Sequence, residues 1–192
     1  MRFPYLKDDQ MSAEQLALAQ RYRASWRAKL PGLTGALGGP LDAMIRAPEL
    51  ASRISHLSDY FRSCGTLSSR QVEFIVLLSS RAYSCDYEWS AHRPFAEAAG
   101  VPPAVADAIA NRRKPDGLAA DEQAIYDLVT ALLETASVPD GIFEHAIATL
   151  GERQVAEIAA LCGFYSMIAM ILAVADVGAP EGGETLPLCA QA

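Results

Sequence analysis

Four side chains that can move a proton or carry sulfur chemistry stand between Gln71 and Val101: Glu73, Cys85, Glu88 and His92. On a helix beginning near Cys85, the offsets 85, 88 and 92 are i, i+3 and i+7, so thiol, carboxylate and imidazole project from one face. Glu73 lies twelve residues before the cysteine, in an apolar run with Phe74, Ile75, Leu77 and Leu78 that reads as the preceding helix. If the two helices fold back on each other, the Glu73 carboxylate reaches the imidazole of His92. The set is then an acid/base site in which a carboxylate fixes the histidine's proton. A thiol at a helix N-terminus also meets the positive end of the dipole, which favours thiolate at Cys85. Each residue alone has a plain structural explanation. A cysteine in an apolar helix is more often an inert buried thiol, and a Glu/His pair at i, i+4 is worth only about 0.2–0.5 kcal/mol on a helix surface. The coincidence of types is what points to a site.

The spacing Glu…Cys-x-x-Glu-x-x-x-His resembles the active-site segment of the carboxymuconolactone decarboxylase and AhpD-like superfamily, whose redox members carry Glu…Cys-x-x-Cys-x-x-x-His. The phrase YEWSAHRPFAEAAGV also resembles the single-domain carboxymuconolactone decarboxylase family proteins, and the likeness runs from about Gly39 to Val174. It maps Glu73, Cys85 and His92 onto the family's glutamate, first cysteine and histidine, and sets Tyr87 between the two cysteine positions. Glu88 stands where the second cysteine would be. The resemblance implies an all-α, AhpD-like bundle of about eight helices that assembles as a homotrimer or hexamer.

Two activities follow from the resemblance. A CxxC pair cycles between dithiol and disulfide, but here Cys85 has no local partner, and Cys64, Cys162 and Cys189 are remote in sequence. The first expectation is therefore a carboxymuconolactone decarboxylase-like lyase acting on a small carboxylated, lactone-type metabolite. His92 is its general acid/base, Glu73 or Glu88 sets the proton, and Tyr87 steadies oxyanion charge. Arg81 and Arg93 are the nearest clamps for substrate carboxylates. The alternative is an AhpD-like thiol peroxidase, a peroxiredoxin-type oxidoreductase in which Cys85 reacts with peroxide and an external thiol resolves the product. A third reading is a non-catalytic helical oligomer that keeps the motif as structure.

The elements that must position these groups are helical throughout. Ser12 and Gln15 form a capping box that opens a helix from Ala13 to about Leu30, closed by Pro31 and Gly32. Apolar residues recur at helical spacing from Leu41 to Phe61, and Pro48 should kink or divide that run. Ser68 or Ser69 caps Arg70 to Ser84, and Cys85 to Ala99 follows with Pro94 inside it and Gly100 at its end. Helices are then expected at 104–111, 121–136, 139–150 and 154–176, with Gly151-Glu152 separating the last two. No alternating strand pattern of useful length appears. The tail from Gly178 is Gly/Pro/Glu-rich and is expected to be loosely ordered.

At 192 residues and 51% hydrophobic composition, the chain reads as one domain with its core at about 39–177. A net charge of −7 opposes nucleic acid as a partner. The one basic cluster, Arg112-Arg113-Lys114, reads as a solvated helix end. The cysteines show no metal spacing, and Glu88 with His92 lacks the second histidine of an HExxH-type set. The glycine cluster before Pro40 lacks the GK[ST] of a phosphate cradle, so neither cofactor nor metal is expected. MRFPYLKDDQ has no apolar signal core, which points to the cytoplasm. The apolar run Ile158 to Val177 contains Gly163, Tyr165, Ser166 and Asp176, and reads as a buried helix or subunit face rather than a membrane span. His56 reads as an exposed or satisfied histidine. The partners expected are a small-molecule substrate and further copies of the chain.

Overall fold

The computed structural model describes residues 2–25 and 37–188. The last residues of the helix expected to reach Leu30, most of the loop before Pro40, and Cys189 lie outside the described residues. Eight α-helices and no strand occur among those described. They are α1 (Ala13–Arg23), α2 (Pro40–Met44), α3 (Pro48–Ser63), α4 (Ser69–Ala82), α5 (Asp86–Ala98), α6 (Pro103–Ala110), α7 (Ala120–Thr135) and α8 (Asp140–Ala175).

The local reasons are legible. Ser12 and Ser68 each accept a hydrogen bond from the backbone N–H three residues on, while the Gln15 and Gln71 side chains each accept one from the cap residue's own N–H. Pro48 occupies the first position of α3 and divides the 41–61 run. Gly151, at φ 80° and ψ 161°, breaks the path of α8 at the division its sequence suggests.

α4 is the axis of the bundle. Phe74, Ile75, Val76 and Leu77 are fully buried, and the helix packs on α5, α7 and α8. A helix enclosed on this many sides cannot keep one polar face, so its glutamate must be paired or open to a cavity. α8 is long and apolar enough to cross a membrane by length and composition, and half of its most apolar window is buried against the protein. Its outward side carries Ala159, Ala160, Gly163, Met170 and Val174 exposed.

Two contacts hold the walls around α5. Glu157 of α8 accepts hydrogen bonds from the Tyr60 hydroxyl at 2.7 Å, the Thr66 N–H at 2.8 Å and hydroxyl at 2.7 Å, and Arg153 Nε at 3.1 Å. Burial pushes this carboxyl up, but those donors outweigh it and hold it down at about 2. α8 is thereby tied to the end of α3. The second contact is the turn before α2, where Asp42 Oδ2 accepts from the Gly38 N–H at 3.0 Å. Gly39 sits at φ +54°, and a Cβ there would lie 2.2 Å from Tyr87 Cζ. Gly39→Ala is expected to cost about 1–3 kcal/mol in chemical denaturation, since both backbone and ring must move. An unchanged midpoint would show the turn to be free of the ring.

The tail departs from expectation. As far as Leu188 it is fixed across α5: the Leu186 N–H donates to Asp86 Oδ1 at 2.9 Å, Arg93 holds Glu184 at 2.7 Å, and Arg81 donates to the Pro187 carbonyl at 3.3 Å. Leu186 is buried. Composition shows that this segment forms no helix; it does not show that three side chains of the hairpin hold it.

Candidate active site

α4 and α5 are joined by a turn of only three residues. Ser84 takes φ +49°, and the Cys85 N–H donates to the Ser80 carbonyl at 2.8 Å. The hairpin lays the first turns of α4 against the middle of α5. His92 Nδ1 lies 2.7 Å from Glu73 Oε2, with both residues buried. A carboxylate can only accept, so Nδ1 carries the proton and Nε2 faces the other way. There it meets Glu88 Oε2 at 3.4 Å and the Tyr165 hydroxyl at 3.4 Å. The Tyr165 ring stands edge-on to the imidazole, centroids 5.2 Å apart. Arg62 reaches Glu73 Oε1 at 3.4 Å. The imidazole is thus gripped on one side and only loosely contacted on the other, where a substrate atom has room to enter.

The surroundings sort the protons. Burial pushes Glu73 up, but the charge and hydrogen bond of His92, helped by Arg62, outweigh it and hold the carboxyl below its usual range. Burial pushes His92 down, yet the Glu73 charge and hydrogen bond, with Glu88 beyond, leave it raised. Glu88 goes up: burial disfavours its charge, the Glu73 carboxylate adds to that, and His92 and Arg62 offset only part. Burial and the two carboxylates push the Tyr165 phenol up as well. The array therefore favours charge on Glu73 and His92 and disfavours it on Glu88 and Tyr165.

A cavity of about 530 Å3, its open mouth included, lies beside this array. Tyr87, Glu88, His92 and Tyr165 line it. Glu73 is behind the imidazole and not among the lining residues. The expected thiol stands apart from this cavity. Cys85 is the N-cap of α5 at φ −88°, ψ 92°, is not among the lining residues, and is pushed up to about 12 by burial and then by the Glu88 charge. The helix dipole is too weak against those two effects. Cys64, Cys85 and Cys162 are all free thiols.

The expected carboxylate clamps also lie elsewhere. Arg81 is buried at the end of α4, bonded to Ser84 and Pro187, and lines a separate hollow with Arg112 and Arg113. Arg93 points outward to Glu97, Asp107 and Glu184. Tyr87 is buried at the cavity wall under Gly39. His56 is exposed in a shallow polar hollow with Arg21 and Asp59. The basic cluster follows α6, and Arg112 donates to the Arg81 carbonyl at the end of α4, a helix-end role.

Sequence reasoning missed Arg62 and Tyr165. The only available signal for Tyr165 was a phenol inside a run as apolar as that of α8, where a buried hydroxyl needs a partner.

No family model matches the chain, and no curated protein matches it. Solved structures do match its fold. One, from Ralstonia eutropha JMP134, is described as an alkylhydroperoxidase AhpD core and an uncharacterized peroxidase-related protein. It superposes with a TM-score of 0.71 at 18% identity, over 90% of this chain and 88% of its own. Another, from Agrobacterium tumefaciens, is described as a protein of unknown function assigned to antioxidant defence as an AhpD. It gives a TM-score of 0.66 at 19% identity, over 74% of this chain and 99% of its own.

Proposed function

We propose that this chain, an all-α protein with the AhpD-like fold, is an enzyme that moves protons on a small organic substrate, with His92 as its general acid/base. The observation that carries the reading is the buried imidazole fixed by Glu73 at 2.7 Å, with its other nitrogen turned to the cavity beside Glu88 and Tyr165. Glu73 orients the ring and stabilises the imidazolium. His92 exchanges a proton with the substrate through Nε2 and is restored as the cycle closes. Glu88, whose charge burial disfavours, places a second proton-exchanging group at the same wall. Tyr165 and Tyr87 keep their protons and can donate to an oxygen that gains charge during reaction.

The decarboxylase form of this reading relied on Arg81 and Arg93 to hold substrate carboxylates. Their positions lend it no support, so the proposal is proton transfer without commitment to loss of CO2. The thiol-peroxidase reading draws on the descriptions of the two structural neighbours. It is opposed by a Cys85 thiol that burial keeps protonated and that does not line the cavity. The test is turnover of small lactones, ketones and peroxides by the parent, Cys85→Ser and His92→Gln. Cys85→Ser is expected to keep turnover and His92→Gln to lose it. Peroxide consumption that disappears in Cys85→Ser would return the thiol to the centre.

A further inference from the structure

Resting on the acid/base reading, we infer that the cavity takes a small, uncharged, largely apolar molecule with a single oxygen function directed at Glu88 and His92. The walls are Leu37, Leu41, Met44, Ile54, Phe164 and Ile168. Ser55 and Ser58 of α3 and Tyr22 of α1 contribute hydroxyls to the lining. Among the described lining residues the only ionisable acid/base pair is Glu88 with His92, and no arginine or lysine joins them.

The charge arithmetic decides the class. A carboxylate leaving water for an apolar wall must be repaid by an opposite charge at close range. The one base at the described wall, His92, already has a counter-charge in Glu73 at 2.7 Å. A dicarboxylate would therefore set at least one anion against leucine, isoleucine and methionine, close to a glutamate that burial already drives toward its neutral form. A ketone or alcohol oxygen loses only hydrogen bonds to water. Tyr165 and Tyr87 can each offer a donor in return. The rest of the molecule then buries apolar surface, the source of affinity this wall is built to give.

The experiment compares two ring-matched probes, 4-methylacetophenone and isophthalate, by titration calorimetry at neutral pH on the parent, Met44→Trp, Ile168→Trp and His92→Gln. The ketone is expected to bind at least about tenfold more tightly than the dianion. It should be weakened about tenfold by either tryptophan that fills the cavity, each variant checked by its melting transition. Two fillers on different helices guard against one failing to fold. Isophthalate binding as tightly as the ketone overturns the inference. So does failure of both probes to bind, or ketone binding untouched by both tryptophans. His92→Gln separates this claim from the acid/base reading, because its turnover reports the acid/base reading alone, while the ligand class is read from the two probes and the tryptophan variants. Undiminished turnover in His92→Gln sinks the acid/base reading, and a ketone preference that the tryptophans weaken leaves the ligand class standing.

Discussion

His92→Gln lowers turnover by about 10²–10⁴-fold, the range for loss of a positioned general acid/base, and leaves the helical bundle folded. Glutamine fills nearly the same space and its amide can still donate to Glu73, so packing around Phe95 and Tyr165 survives; only the titratable proton is gone. A purely structural histidine would give the opposite pattern, with stability falling and turnover unchanged. Glu73→Gln separates positioning from chemistry. It keeps a hydrogen-bond acceptor for Nδ1 but removes the charge that holds His92 up, so the His92 titration followed by NMR should move to lower pH. The sign is set by both partners. Glu73, held below its usual 4.5, contributes stability that is present above that value and lost as pH falls through its folded value. His92, held above its usual 6.5, contributes stability that is complete below 6.5 and lost as pH rises through its folded value. The pair therefore supports the fold most between about pH 4.5 and 6.5, and Glu73→Gln should flatten that maximum in denaturation midpoints measured against pH. A wild-type His92 that titrates at or below 6.5 would sink the assignment.

How much of this was readable in advance follows from where each residue sits on its helix. Glu88 and His92 lie inside the regular part of α5, so the i, i+4 rule holds for them, and the short turn after α4 brought Glu73 back to the same place. Cys85 failed the same rule because it is the cap: with φ −88° and ψ 92° it stands outside helical geometry, and a face argument does not extend to it. Arg93 follows His92 directly, and neighbours at i, i+1 point about 100° apart, so it looks outward to Asp107 and Glu184. Sequence proximity to the histidine was the wrong measure for a clamp. Pro48 and Gly151 announced their breaks because each imposes a local backbone constraint. Tyr165 lies 73 residues beyond His92, and no local pattern says which side of an all-apolar helix will meet α5. That is settled by packing, in part by the three donors from Tyr60 and Thr66 that fasten Glu157 to the end of α3. The tail behaves alike, since Asp86, Arg93 and Arg81 hold it and none is near it in sequence.

Glu88→Gln makes the protein more stable and less active. The carboxyl is buried in the cavity wall, and its folded value is raised above the ordinary 4.5 by burial and by the Glu73 charge. For an acid raised in this way the folded form binds more protons than the unfolded form, so its effect on stability worsens as pH climbs from about 4.5 through the folded value. Glutamine has the same shape and no charge to bury, so the penalty disappears. The melting transition should rise at pH 7–8 by the equivalent of about 0.5–2 kcal/mol, typical when a strained functional group is relieved, or about 2–4 °C per kcal/mol at this chain length. Below pH 4.5, where the carboxyl is protonated in both states, parent and variant should melt together. Turnover should fall by about 10²-fold or more, because the amide can neither give nor take the proton. His92 keeps its tighter partner at 2.7 Å and loses only a contact at 3.4 Å, so its raised titration should persist in the variant and the activity loss cannot be charged to a displaced imidazole. A variant that melts lower than the parent at pH 7 with turnover intact would make Glu88 a structural support for His92, and the proton at the cavity wall would have to come from Tyr165 or the imidazole alone.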